Sequence, residues 1–407
     1  MPLGFTELPN LQLLKLGGNL DLRASCSQLL RGSWEKIQVL DFAYNKIHGR
    51  LPASIAKMSS LTYLDLFLNG VKKLLAGENH LVGHLPNWLG ELKNLVELDL
   101  SSNSLEGPIP ASLGNFQNLS ELQLRANKLN GTLPDSLGQL SNLNFLDVSM
   151  NELSGVISEV HFSTPTKLDS LDLSENSFIF NVSSDWIPPF QLIYLYLGSC
   201  HLGSIPSNIS KIMYFFSLSN NQMTVEIPNS IGKLKSVRVI DLSRNHFIGS
   251  IPSSIGNFSG LSALDLQNNN LSGEIPSSLS ELHLLRTLHL RATGNIPPWV
   301  GEAFPHLRIL GLRSNDFSGE IPPAISNLSS LQVLDLANDA LNGKIPASFD
   351  NSLSGAIQAS MSSITALSYL DVSNNNLSGV IPYTNQMATL MHLVMVETHV
   401  YVEVLSP

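Results

Sequence analysis

The sequence predicts an α/β solenoid: short coils stacked side by side, with a concave parallel β-sheet on one side and irregular or 3₁₀ segments on the other. Three observations carry that prediction. Leucines recur about every 24 residues through most of the chain. An asparagine follows each leucine cluster at a fixed offset, and a Gly-x-Ile-Pro ending closes many of the units. A period of this length is the mark of stacked repeats, because one unit is too small to bury its own apolar face.

Residues 261–284, LSALDLQNNNLSGEIPSSLSELHL, display the unit. Leu261, Leu264 and Leu266 lead into Asn269, then Leu271, Gly273, Ile275 and Pro276, a spacing with no helical period. It fits L-x-x-L-x-L-x-x-N-x-L, the pattern of leucine-rich repeats, and so predicts a horseshoe or superhelix. Each unit reads as a short strand, a turn held by the asparagine, and a return segment. The asparagine column runs Asn19, Asn45, Asn69, Asn79, Asn103, Asn127, Asn151, Asn176, Cys200, Asn221, Asn245, Asn269, Thr293, Asn315, Asp339, Asn351 and Asn375. Two steps, 69–79 and 339–351, are too short to close a coil and read as repeats that lost their second half. Residues 1–390 are therefore expected to form one solenoid, with 391–407 a poorly ordered tail. About fifteen strands spaced 4.8 Å apart would give a concave face on the order of 70 Å long.

The asparagines themselves are expected to be structural, their amides satisfying backbone groups that the turns leave unpaired. A carboxylate in that column is costly. Asp339→Asn is thus expected to raise stability.

Composition narrows the function. Acidic residues outnumber basic ones 33 to 23, a net charge of −10, which disfavours nucleic acid as a partner. Cys26 and Cys200 stand many repeats apart and are not expected to pair. No G-x-S-x-G, H-E-x-x-H, phosphate loop or kinase signature occurs, so the chain reads as non-enzymatic with no cofactor. His80 and His84 lie four apart but bring no third ligand, so no metal site is expected.

The strand positions flanking the inward leucines should face the concave side. One column there is acidic: Asp41, Asp65, Asp99, Asp147, Asp172, Asp241, Asp265, Asp335 and Asp371. It reads as the repeat's own spelling, L-D-L-S, and as a solubilising strip. The rungs that break the habit are more informative. Tyr194, Tyr196 and Phe215 cluster aromatics, and Arg244, His289, Arg291 and Arg313 put basic groups nearby. Aromatics beside arginines have the composition of a binding hot spot, and arginine suits an anionic group on a ligand.

Longer blocks carry a resemblance. The N-x-L-x-G-x-I-P endings in NSLEGPIP, NNLSGEIP, NDFSGEIP and NNLSGVIP look like the plant-specific class of leucine-rich repeat. SSDWIPPFQLIYLYLGSCHLG (183–203), IPPWVGEAFPHLRILGLRSNDFSGEIP (296–322) and SMSSITALSYLDVSNNNLSGVIPYTNQMATL (360–390) resemble plant receptor-like proteins of the cell-surface immune type. The resemblance implies a plasma-membrane or extracellular protein that binds a peptide, protein or glycan ligand on its concave face. It also implies co-receptor kinases as signalling partners, in defence or developmental signalling. Relative to that family the chain reads as truncated at both ends: it begins inside a repeat with no secretory leader and has no apolar run long enough to be a transmembrane segment. The sequons at Asn118, Asn130, Asn181, Asn208, Asn257, Asn270, Asn327 and Asn376 are glycosylation candidates. Several of them are produced by the repeat itself. The alternative readings are a secreted inhibitor similar to plant polygalacturonase inhibitors, and a non-functional truncated gene copy.

Overall fold

The computed structural model describes residues 8–32, 34–67, 81–183, 187–202, 214–346 and 366–378. By internal packing the chain divides into two units, Met1–Met223 and Thr224–Pro407, each described by itself.

In the first unit nine short strands form one parallel sheet: β1 (Leu13–Lys15), β2 (Val39–Asp41), β3 (Tyr63–Asp65), β4 (Glu97–Asp99), β5 (Glu121–Gln123), β6 (Phe145–Asp147), β7 (Ser170–Asp172), β8 (Tyr194–Tyr196) and β9 (Phe215–Ser217). Each pairs with the next in chain order, and the central residues are in register, as in Leu98↔Leu122 and Leu122↔Leu146. In the second unit β10 (Val239–Asp241), β11 (Ala263–Asp265), β12 (Thr287–His289), β13 (Ile309–Gly311), β14 (Val333–Asp335) and β15 (Tyr369–Asp371) repeat the arrangement.

Side-chain alternation along a strand explains why three residues suffice. In β5, Leu122 is fully buried and Leu124 follows it inward, while Glu121 and Gln123 remain half-exposed on the other face. The rest of the same coil adds Leu129, Leu133, Leu137 and Leu140, each at most 3% exposed. Each such leucine contributes about 2 kcal/mol of burial, but only when the next coil covers it. The core is thus a column of leucine layers.

On the returning side the prolines of the G-x-I-P ending set the geometry. Pro110, Pro134, Pro228, Pro252 and Pro276 hold extended backbone, and a five-residue 3₁₀ segment follows each, for example Ala111–Asn115 after Pro110. The glycines of those segments let coils close up. A Cβ on Gly114 would sit 2.3 Å from the Ser136 carbonyl oxygen.

Between strand and return, a second parallel sheet flanks the first. In the first unit it comprises Val82–His84, Ser104–Pro108, Lys128–Thr132, Glu152–Ile157 and Ser177–Phe180. In the second unit it comprises Thr293–Asn295, Asp316–Glu320 and Ala340–Asn342.

Of the two irregular steps, 69–79 lies outside the described residues and 339–351 is described only as far as 346. Asp65 of β3 pairs directly with Asp99 of β4, and the Leu81 amide donates to Asn103 Oδ1 just as Leu105 donates to Asn127 Oδ1. Asp335 of β14 likewise pairs with Asp371 of β15, and Leu341 donates to Asn375 Oδ1. Asn69, Asn79, His80, Asn351 and the tail 391–407 lie outside the described residues. Among the described residues no helix is long and apolar enough to cross a membrane.

Candidate functional site

The concave faces are held in place by the asparagine ladder. Asn127 Nδ2 donates to the carbonyls of Leu124 (3.0 Å) and Arg125 (3.3 Å) in its own coil and of Leu100 (3.0 Å) in the coil before. Its Oδ1 accepts from the Leu105 amide at 3.0 Å. Asn151, Asn176 and Asn375 repeat that set of bonds. At Cys200 the thiol takes over one donor role, reaching the Leu173 carbonyl at 3.3 Å. Burial pushes this thiol up to about 12, and Cys26 likewise, so both free cysteines are inert packing groups. At Thr293 the hydroxyl accepts from the Gly273 amide. At Asp339 one carboxylate oxygen accepts from Phe317 at 3.2 Å, while Oδ2 is buried without a partner. Burial raises this carboxyl to about 6.

The acidic column has a structural task that the sequence reading missed. Each aspartate accepts the backbone N–H two residues on: Asp65 from Phe67 at 2.8 Å, Asp99 from Ser101 at 2.8 Å, Asp147 from Ser149 at 2.9 Å, Asp241 from Ser243 at 3.0 Å. This closes the turn into the asparagine, and the D-x-S spelling was its signal: in Asp147 and Asp241 the serine hydroxyl donates to the same oxygen. Packing them on consecutive strands has a cost. Burial, opposed by the serine bonds, raises Asp99 to about 6, and burial with the neighbouring Asp147 raises Asp172 to about 6.

In the first unit the three aromatic candidates come together. Tyr194 and Tyr196 lie parallel with ring centroids 6.5 Å apart, and Tyr196 stacks on Phe215 at 4.4 Å. Tyr214, which the sequence reading passed over, packs against Tyr194 at 5.5 Å and is exposed. Phe215, expected among the exposed aromatics, is only 6% exposed, because the Tyr196 ring covers it. It supports the platform from below.

The basic candidates belong to the second unit, and most are already engaged. His289 Nδ1 lies 3.1 Å from Asp265 Oδ2. Arg291 donates to the Ser314 carbonyl and pairs with Asp316 at 3.3 Å. Arg313 bridges Asp335, at 2.7 Å, and Asp371. Arg244 is exposed at the turn position with φ +54°, outside the strand. The guanidinium groups of Arg291 and Arg313 thus cross-link coils.

The sequon asparagines 118, 130, 181, 257, 270, 327 and 376 are all exposed, and Asn208 lies outside the described residues. Asn118 Nδ2 also donates to the Lys93 carbonyl, at 3.1 Å. Among the described residues no group of three or more histidine, cysteine or carboxylate side chains could hold a metal ion.

The family pattern described as Leucine Rich Repeat matches residues 94–116, 118–140, 236–258, 260–282, 306–328 and 366–385. Receptor-like protein EIX2 of Solanum lycopersicum is 49% identical over 47 residues, and receptor-like protein EIX1 of the same plant is 34% identical over 113. These matches cover 12% and 21% of this chain, and 5% and 11% of the relatives' own length. Among solved structures, the plant peptide hormone receptor RGFR1 in complex with RGF2 superposes with TM-score 0.73 at 27% identity, covering 97% of this chain and 75% of that one. The Arabidopsis receptor kinase HAESA in complex with the peptide hormone IDA and the co-receptor SERK1 gives 0.63 at 28%, covering 94% and 69%. Repeat pattern and fold agree: the chain is a leucine-rich-repeat solenoid, with stretches similar to plant receptor-like proteins.

Proposed function

We propose that the chain is a non-catalytic recognition module, taking a peptide, protein or glycan ligand on a concave face at the plant cell surface and signalling, in defence or development, through partner receptor kinases. The likeness to the RGFR1 structure over 97% of the chain supports the reading, since that protein is a plant peptide hormone receptor in complex with RGF2. The complex of HAESA with SERK1 supports a co-receptor kinase as partner. The exposed sequon asparagines suit a glycoprotein that has passed through the secretory pathway. The repeat supplies the rest: a rigid parallel sheet whose outward side chains vary from coil to coil while the leucine layers do not.

The test is capture. The chain, secreted from plant cells behind a leader and immobilised, is exposed to apoplastic fluid, and retained molecules are identified by mass spectrometry. A peptide, protein or glycan retained by the native chain is expected to be lost from Tyr196→Ala with the melting temperature little changed. Arg291→Ala separates the two halves of the sequence-derived patch: loss of the same ligand would make the basic residues part of the contact. Full retention by both variants removes those side chains from the binding face.

A further inference from the structure

The ring platform of the first unit stands among carboxylates with almost nothing to neutralise them. Along β5 to β9 the positions beside the inward leucines include the half-exposed Glu121 and Asp169 and the largely buried Asp147 (7%) and Asp172 (9%), and the basic residue beside them is Arg125, two residues beyond β5. Arg125 Nη1 approaches Asp172 Oδ2 only to 4.0 Å and is itself exposed. No ion pair engages Glu121, Asp147 or Asp169 among the described residues. Asp172 of β7 is paired in register with Tyr196 of β8, so a carboxylate and a stacked aromatic face lie on adjacent strands.

We propose that this face binds a cationic side chain, a lysine or arginine within a peptide segment, laid along Tyr194 and Tyr196 with its charge against Asp172 and Asp147. This rests on the recognition reading above and reverses the ligand polarity that the basic residues had suggested, because Arg291 and Arg313 are spent on Asp316, Asp335 and Asp371. Charge complementarity selects the occupant. An aromatic face attracts a cation through its ring quadrupole, and the aliphatic stem of lysine or arginine packs on the same rings. Carboxylates crowded into one strip repel one another, and an incoming cation relieves that repulsion. Burial and the nearby Asp147 hold Asp172 near 6, so Asp172 is anionic at neutral pH and partly protonated below it, while burial with Glu97 and Asp169 also raises Glu121. Binding should therefore weaken as pH falls through 6.

The full chain is titrated with three probes: a short peptide alternating lysine and tyrosine, its counterpart alternating glutamate and tyrosine, and a neutral glucan oligosaccharide. The lysine peptide is expected to bind at least about tenfold more tightly than the glutamate one. Tyr196→Ala and Asp172→Asn should each weaken it by about tenfold. Asparagine at 172 can still accept the Ser174 N–H, so that variant removes charge without opening the turn. Preference for the glutamate peptide or for the oligosaccharide overturns the cationic ligand but leaves a recognition module. Unchanged affinity in both folded variants moves the contact elsewhere and also overturns it. Binding to none of the three overturns it as well, and the capture experiment then decides whether the recognition reading falls too.

Discussion

Asn127 and Asp339 occupy the same place in their coils and differ in what they can donate. The asparagine makes four bonds, three through its amide nitrogen. The aspartate keeps the acceptor half of that set and buries an unpartnered oxygen where the donor belongs. Asp339→Asn is expected to raise the melting temperature through new bonds to turn carbonyls, a gain of about 1 kcal/mol. The sign of its pH dependence follows from the raised carboxyl. The native fold carries the penalty when Asp339 is ionised, above about pH 6, and escapes it when the group is protonated. Melts at pH 7.5 should therefore separate variant from parent more than melts at pH 4.5. Conversely, Asn127→Ala strands several buried backbone groups and should cost about 3 kcal/mol by urea unfolding. The position of both residues was legible from spacing alone. That Phe215 lies under Tyr196 was not, because aromatic rings choose their stacking partners in three dimensions.

The coil is the next scale up, and its return half depends on close approach. Gly90, Gly114 and Gly138 belong to 3₁₀ segments where an added Cβ would fall 2.0–2.3 Å from a carbonyl oxygen of the next coil. Gly114→Ala should destabilise by about 1–3 kcal/mol, because backbone rather than a movable side chain is in the way. Denaturant unfolding with an unchanged slope would check it. Strand, turn and proline-led return could all be read from the L-x-L, N and G-x-I-P signals. The step 69–79 lies outside the described residues, and spacing reports only the distance between landmarks. The acidic column was misjudged: its pattern was plain, but its bond to the amide two residues on is a matter of turn geometry.

Across the molecule the same aspartates bias stability toward mild acid. Asp99 and Asp172 lie near 6, mainly through burial, and Asp65 and Asp147 are also raised. Such groups favour the fold when protonated, so the contribution of Asp99 and Asp172 is present below about pH 4 and is lost as pH rises through 6. Asp371 acts the other way, because Ser373 and Arg313 outweigh the effect of its burial and hold it low. The raised groups are the more numerous, and the melting temperature is expected to be higher at pH 5 than at pH 8 in a buffer series of constant ionic strength. The fold class and the repeat type were legible throughout, because leucine layers and asparagine turns are periodic. The binding face was only partly so: which charges are already answered by a neighbouring coil cannot be counted along the chain.

The ladder also runs in one direction. Asn127 gives two of its four bonds back to the preceding coil, and Asn151 does the same for the coil of Asn127. Every junction built this way presents the same chemical socket, so a duplicated or deleted coil meets neighbours it already fits. A gene encoding such a chain can change the length and wording of its recognition strip by unequal crossing-over, with no compensating change elsewhere.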